Sequence, residues 1–254
     1  MLPSPREPVF HFRFSTPERL PGESWGATFW RRVRHGLLLK TVGISGFMWL
    51  FFIAYFELLR NPAQAVTTMP LTPLDAAVPF TPGSLWLYLS LWFYVGTPAG
   101  LSTNLRQLIV YGLWAAALCL AGLAGFYFWP TAVPAGLAPA DAARHAGFAL
   151  LQGVDAAGNA CPSMHVASAV FTAFWVHRIW RRMGAPAPWL ALNIVWAALI
   201  VWSTMATKQH VALDVLGGVL LALVFVPLSM RWYPYGPAAE ADGAGQAVAA
   251  RAAR

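Results

Sequence analysis

Charge is what this chain has least of: of 254 residues only 11% are Asp, Glu, Lys or Arg, against 58% hydrophobic and 14% aromatic. Soluble domains carry about 25% charged residues, so a solvent other than water must face much of this protein. Acidic residues are the scarcer sign, 10 against 17 Lys and Arg, which leaves a formal net charge of +7. Cysteine is nearly absent. Cys119 falls inside an apolar segment and Cys161 beside Pro162 and Ser163, which excludes a disulfide framework and offers no zinc spacing. No internal repeat is visible, and no small-residue cleavage site follows the long basic start, so no cleavable signal peptide is expected. The basic excess does not argue for nucleic acid, because it is concentrated near the N-terminus and in one short loop rather than along a soluble face.

Long apolar runs fill the rest. A membrane-crossing helix needs about 20 apolar residues, and six segments approach or reach that length: Leu38–Leu59, Ser84–Leu101, Gln107–Trp129, Met164–Trp180, Trp189–Met205 and Val211–Met230. The second and fifth are short, and Pro98 is placed to kink or end the second. The fold class expected is all-α, a polytopic membrane protein with a six-helix transmembrane bundle over residues 37–231. Residues 1–36 read as a basic tail ending in an interfacial helix, with Trp25, Phe29 and Trp30 among Arg31, Arg32 and Arg34. Residues 232–254 are Ala/Gly-rich and read as a flexible tail. Lys and Arg gather on the cytoplasmic side of membrane proteins. With both termini cytoplasmic in an inner membrane, only Arg60, Arg144 and Lys208 fall on the opposite side. That topology puts the Pro-rich segment around Asp75, the connection from Pro130 to Ser163, and the stretch from Lys208 to Asp214 together on the extracytoplasmic face.

Lys208-Gln209-His210-Val211-Ala212-Leu213-Asp214 interrupts two apolar segments with three titratable groups. A charge near the hydrocarbon costs roughly 2.5–3.5 kcal/mol or more, which usually reserves it for an ion, proton or substrate site. Residues four apart share a helix face, so Asp214 can hold one ring nitrogen of His210 and leave the other free. The simpler alternative is a loop with Asp214 at a helix start, where the dipole favours a carboxylate. A second motif runs from Asp155 through Asn159 and Cys161 to Pro162-Ser163-Met164-His165. Its helix start offers backbone N–H groups for a phosphate oxygen and sets His165 in the first turn; alternatively Ser163 only caps the helix. Combined, the two motifs suit phosphoryl transfer: His210 as nucleophile oriented by Asp214, His165 as acid toward the leaving oxygen, Ser163 and Lys208 around the phosphate. A metal site of His165, His210 and Asp214 is the competing arrangement.

Pro-Ser-Met-His (Pro162 to His165) paired with Lys-Gln-His-Val-Ala-Leu-Asp-Val-Leu-Gly-Gly (Lys208 to Gly218) resembles the type 2 phosphatidic acid phosphatase (PAP2) superfamily. It is similar in particular to the branch that contains inositol phosphorylceramide synthases. The resemblance covers roughly residues 70–230 and includes Asp75-Ala-Ala-Val-Pro-Phe-Thr-Pro82 and Asp155-Ala-Ala-Gly-Asn159. It implies a phosphohistidine on His210, orientation by Asp214, His165 as the acid and Ser163 as a phosphate ligand; the phosphate site is expected to draw also on Lys208, Asn159, Asp75 and Arg144, without metal or cofactor. Two features depart from the superfamily: no Lys and Arg-Pro run lies between the second and third segments, and Ser203-Thr204 stands where the third motif has Ser-Arg. Two phosphate-binding arginines are therefore missing, which leaves Lys208 and Arg144 as replacements and favours a less charged phosphodiester or headgroup. The expected activity is a lipid phosphatase or headgroup phosphotransferase, with a lipid phosphate or phospholipid as substrate and water, a lipid alcohol or a polyol as acceptor. A transporter using His210 and Asp214 as a proton relay is the other class. Aromatics such as Trp86, Tyr88, Trp92, Phe93 and Tyr94 read as lipid-facing or packed rather than as a substrate box.

Overall fold

A computed structural model describes residues 14–145, 147–148 and 158–233. Asp155, the tail from residue 234 onward and the first thirteen residues lie outside the described residues. The protein is mostly helical. Helices α2 (Leu37–Arg60), α6 (Leu105–Phe128), α8 (Ala187–Ala206) and α9 (Ala212–Arg231) are each long and apolar enough to cross a membrane. At 1.5 Å per residue even the shorter ones reach about 30 Å, the thickness of the hydrocarbon core. Their outward faces carry exposed Leu38, Trp49, Leu113, Leu120, Val195 and Leu220, the pattern of surface meant for lipid.

The apolar segment from Ser84 to Leu101 does not form one helix. It breaks into α4 (Leu85–Tyr94) and α5 (Thr97–Gly100), with Pro98 in the first turn of α5, where its missing N–H costs nothing. Neither piece is long enough to span alone. Helix α7 (Met164–Arg182) is the central one and packs against α6, α8 and α9. It is less apolar than its neighbours because it carries His165 and, at or near its end, His177, Arg178, Arg181 and Arg182. Burial of Ala167, Phe171, Trp175 and Ile179 in the main core, rather than lipid exposure, holds it.

Glycine fixes how deeply the start of α7 sinks. A Cβ on Gly122 of α6 would stand 2.1 Å from Met164 Sδ, and one on Gly218 of α9 would stand 2.5 Å from the Ser163 carbonyl oxygen. Only a residue without a side chain lets the three elements meet so closely.

Loops sort to the two ends of the bundle. At one end a short parallel ladder, β1 (Thr67–Thr68) with β2 (Thr131–Ala132), ties the segment after α2 to the segment after α6. Under it Met69, Val133, Ala160 and Val211 form a small core, so the His210 loop lies at this end. Helix α1 (Trp25–Arg34) occupies the other end, capped by Ser24. It turns Trp25, Phe29 and Val33 onto the bundle, where Trp25 meets Trp180 and Trp189, and leaves Trp30 exposed. Arg31 grips Glu23 through two nitrogens at 2.8 and 2.9 Å, which holds the Glu23 carboxyl down to about 2. Lys40, the one buried residue of α2, donates to the carbonyls of Arg32 at 2.6 Å and Gly100 at 2.7 Å.

Candidate active site

The start of α9 is where the site is built. Val211 precedes the helix, and its N–H donates to Asp214 Oδ2 at 2.9 Å, a local cap that needs a short acidic side chain three residues on. That same oxygen lies 3.5 Å from His210 Nδ1, the contact expected of an i, i+4 pair. At that length the pair does not close a hydrogen bond, and catalytic hydrogen bonds often tighten only when substrate is bound. Asp214 is fully buried, and its second oxygen has no hydrogen-bond partner among the described residues. The two sequence alternatives for Asp214 are thus compatible: one carboxylate caps α9 and faces the imidazole, leaving the Nε2 side of His210 away from it.

His165 reaches the same place from the first turn of α7. Its ring lies 6.0 Å from that of His210 between centroids. Tyr88 of α4 stacks on it at 4.1 Å and 20°, with the phenol oxygen 3.4 Å from Nδ1, and Trp92 meets it edge-on at 5.2 Å. His165 Nε2 has no partner among the described residues. Tyr88, a buried core residue, and Trp92 thus pack on His165 and border the cavity described below, so aromatics read as packed lie beside the candidate site. Trp86 and Phe93 do face outward, with 72% and 86% of their surface exposed. The i, i+4 spacing of Tyr88 and Trp92 was the available signal.

The residues assigned to the phosphate are placed less simply. Ser163 is buried and its hydroxyl accepts from the Val166 N–H at 3.3 Å, so it caps α7, while its own N–H donates to the Asp214 carbonyl at 3.0 Å. Asn159 has a left-handed backbone with φ of 51° and borders the cavity described below, but its amide nitrogen donates to the Tyr55 carbonyl at 2.9 Å. Asp75, in the short helix α3 (Pro73–Ala77), accepts from the Thr72 N–H at 2.7 Å and hydroxyl at 2.8 Å with one oxygen. With the other it accepts from the Ala212 N–H at 2.7 Å. Lys208 donates its amine to the carbonyls of Asp75 and Val78. Asp75 and Lys208 therefore bind protein groups: together they clasp the Asp75–Val78 segment to the two sides of the His210 loop. A helix start that favours anions is filled at α9 by Asp214 and Asp75 rather than left for a phosphate. Arg144 closes an exposed 3-10 turn, its N–H donating to the Asp141 carbonyl at 2.9 Å, and its side chain makes no hydrogen bond or ion pair among the described residues. His145, next to it, rests against Phe80.

Both histidines line one cavity of about 590 Å³ bounded by α2, α4, α6 and α7. Its walls are almost wholly apolar; Tyr88, Asn159 and Ser168 join the histidines near its upper part. Ser163, Lys208, Asp75 and Arg144 do not border it. Cys161, just before α7, is pushed up to about 11 by burial and by the charge of Asp214, so its thiol stays protonated at neutral pH. No three His, Cys, Asp or Glu side chains among the described residues gather as a set that could hold a metal ion, the trio of His165, His210 and Asp214 included.

The PAP2 superfamily model matches residues 112–237, just under half of the chain, a span that contains His165, His210 and Asp214. Members of that superfamily are generally phosphatases or phosphotransferases. Comparison with curated proteins and with solved structures gives no match.

Proposed function

We propose that this protein is an integral-membrane lipid phosphatase or headgroup phosphotransferase that works through a phosphohistidine. The observation that carries the reading is the convergence of two histidines from separate helix starts on the end of one apolar cavity, one of them backed by a buried carboxylate. The arrangement suits a substrate with a phosphate at one end and hydrocarbon at the other. In the first step His210 Nε2 attacks phosphorus, the P–O bond to the lipid breaks, and His165 gives its proton to the departing oxygen. Asp214 stabilises the positive charge that develops on His210. In the second step water, a lipid alcohol or a polyol attacks the phosphohistidine, His165 takes the acceptor's proton, and the P–N bond breaks. Positioning and charge neutralisation are most of what phosphoryl transfer needs. With Lys208 and Asp75 occupied by the clasp, the dipole of α7 and the free first-turn N–H groups beside Ser163 are the nearest source of positive potential.

Six crossings are part of this reading, with α4 and α5 together as the second and α7 as the fourth. The basic residues around α1, Arg106, Arg178, Arg181, Arg182 and Arg231 then face the cytoplasm, and the histidines open toward the other side. Purified protein incubated with labelled lipid phosphates and phospholipids should release phosphate or form a new lipid. His210→Ala and Asp214→Asn should lower turnover by about a hundredfold or more, the usual weight of a general acid–base or orienting group. Undiminished turnover in His210→Ala removes the nucleophile assignment.

A further inference from the structure

The cavity continues well past the histidines. On α6 the level of the histidines is marked by Gly122, against which Met164 packs. Gly112, also on the cavity wall, lies ten residues toward the start of α6, which is about 15 Å at 1.5 Å per residue. On α2 the histidine level is marked by Tyr55, whose carbonyl receives the Asn159 amide. Gly43, again on the wall, lies twelve residues away, about 18 Å. Half of a hydrocarbon core is about 15 Å, the depth of one leaflet's chains. The shaft is therefore as deep as one acyl chain is long, and it starts at the proposed site of phosphorus.

The glycines at its deep end have a different character from those around α7. An added Cβ at Gly43 or at Gly112 meets no protein atom within 4 Å. Neither one permits a close helix contact; half-buried Gly112 leaves open width in the shaft, and exposed Gly43 leaves it where the shaft wall meets the outer surface. Between the two levels the walls are mainly Phe47, Phe51, Ala115 and Leu118 with their neighbours, which offer an alkyl chain contact, and the few hydroxyls there are those of Ser168, Thr172 and Tyr111, the last already donating to the Val95 carbonyl at 2.8 Å.

We propose that the shaft seats a single acyl or alkyl chain of the lipid whose phosphorus lies between His165 and His210, and that Gly112 and Gly43, both on its wall far from the histidines, set the longest chain accepted. This rests on the lipid-phosphate reading of the site. In a bilayer a chain gains little by leaving lipid for an apolar wall, so selectivity comes from fit: a short chain leaves a void and a long one overpacks the walls.

The test uses the full chain in detergent with monoalkyl phosphates from octyl to octadecyl. Binding is read from the rise in unfolding midpoint and, separately, release or transfer of the phosphoryl group is measured. For the unaltered protein, binding should strengthen with chain length to an optimum and weaken beyond it. In Gly112→Leu the optimum should shorten by roughly four carbons, the size of the side chain now filling a close-packed space, while octyl phosphate binds as before. Gly43→Leu should move the optimum the same way and serves if Gly112→Leu does not fold. An optimum that neither variant moves, or the absence of any optimum, overturns the seat. Binding that shows the optimum and its shift without any phosphoryl release or transfer leaves the seat standing and removes the phosphoryl-transfer reading. Turnover that ignores chain length does the reverse.

Discussion

Replacing Asp75 with Ala should slow the reaction without weakening substrate binding. One carboxylate there serves two helix starts, since its oxygens accept from Thr72 at 2.7 and 2.8 Å and from Ala212 at 2.7 Å. Losing an N-cap costs about 0.5–2 kcal/mol, so two together cost about 1–4 kcal/mol. The Lys208 bonds to the carbonyls of Asp75 and Val78 do not use the Asp75 side chain, so the segment stays attached and the chain should still fold. The loss is felt locally, because Ala212 follows His210 by two residues and its N–H is one of the bonds that fix the imidazole in front of Asp214. If 1.4 to 2.7 kcal/mol of that cost falls on the transition state, kcat drops by about tenfold to a hundredfold. A change confined to kcat means an interaction lost only in the transition state, so KM should stay within about twofold. The assay is steady-state turnover of a labelled lipid phosphate in detergent, with the unfolding midpoint measured on the same preparations. Asp75→Asn keeps an acceptor for one of the two starts and should fall between the alanine variant and the unaltered protein. A raised KM with unchanged kcat would refute the clasp and return Asp75 to the substrate; an alanine variant with normal kcat would refute the capping argument itself.

Three further outcomes follow from the same structure. Lys208→Met should lower the unfolding midpoint and kcat but leave KM for a lipid phosphate unchanged, because the amine is bound to two carbonyls and does not border the cavity; a rise in KM of tenfold or more would show that it meets the phosphate. Gly218→Ala places a Cβ 2.5 Å from the Ser163 carbonyl, a backbone atom that cannot rotate away. Overpacking of this kind costs about 1–3 kcal/mol and should appear as a lower midpoint and reduced turnover. The Glu23–Arg31 clasp contributes stability while Glu23 is ionised, since its folded value is depressed to about 2. That contribution is full above the unfolded value of about 4.3 and is lost as pH falls toward 2. Protection of the α1 amides from hydrogen exchange, taken relative to the intrinsic rate at each pH, should therefore fall across that window in the unaltered protein, whereas in Glu23→Gln it should already be low at higher pH.

The apolar segments were legible because a bilayer leaves a coarse mark: length and a lack of charge suffice, and α2 and α6 begin and end within two residues of the reading. The break between α4 and α5 was signalled by Gly96 and Pro98, although its size was not, because Pro98 is compatible with either a kink or a new helix start. Helix spacing suggested the approach of Asp214 to His210, but His210 stands two residues before α9 and the two meet across the helix start that the Val211 cap fixes. What spacing does not carry is the meeting of segments distant in sequence. Asp75 and Lys208 are polar residues in an apolar chain, which made them look like substrate ligands; their partners are backbone N–H and C=O groups, which every residue has and no sequence pattern marks. The same holds for β1 and β2, each two residues long, and for the way α4 brings Tyr88 and Trp92 round His165.

Helix α2 has a position in this molecule unlike that of any other long helix. Its middle turns border the shaft on one side and face outward on the other, and Lys40 is its one buried residue. Hydrogen bonds tie it near both ends, through the Lys40 amine and through the bond from Asn159 to Tyr55, and Phe51, Ala54, Tyr55 and Leu58 pack on Leu123, Phe126 and Met164. A span held this way owes its position as much to the fluid around it as to the rest of the chain, since lipid tails solvate leucine and phenylalanine as well as a protein interior does. Bilayer thickness and chain order thereby become part of the geometry of the shaft wall, and stripping the native lipid would alter the shape of that wall before it disturbed the histidines.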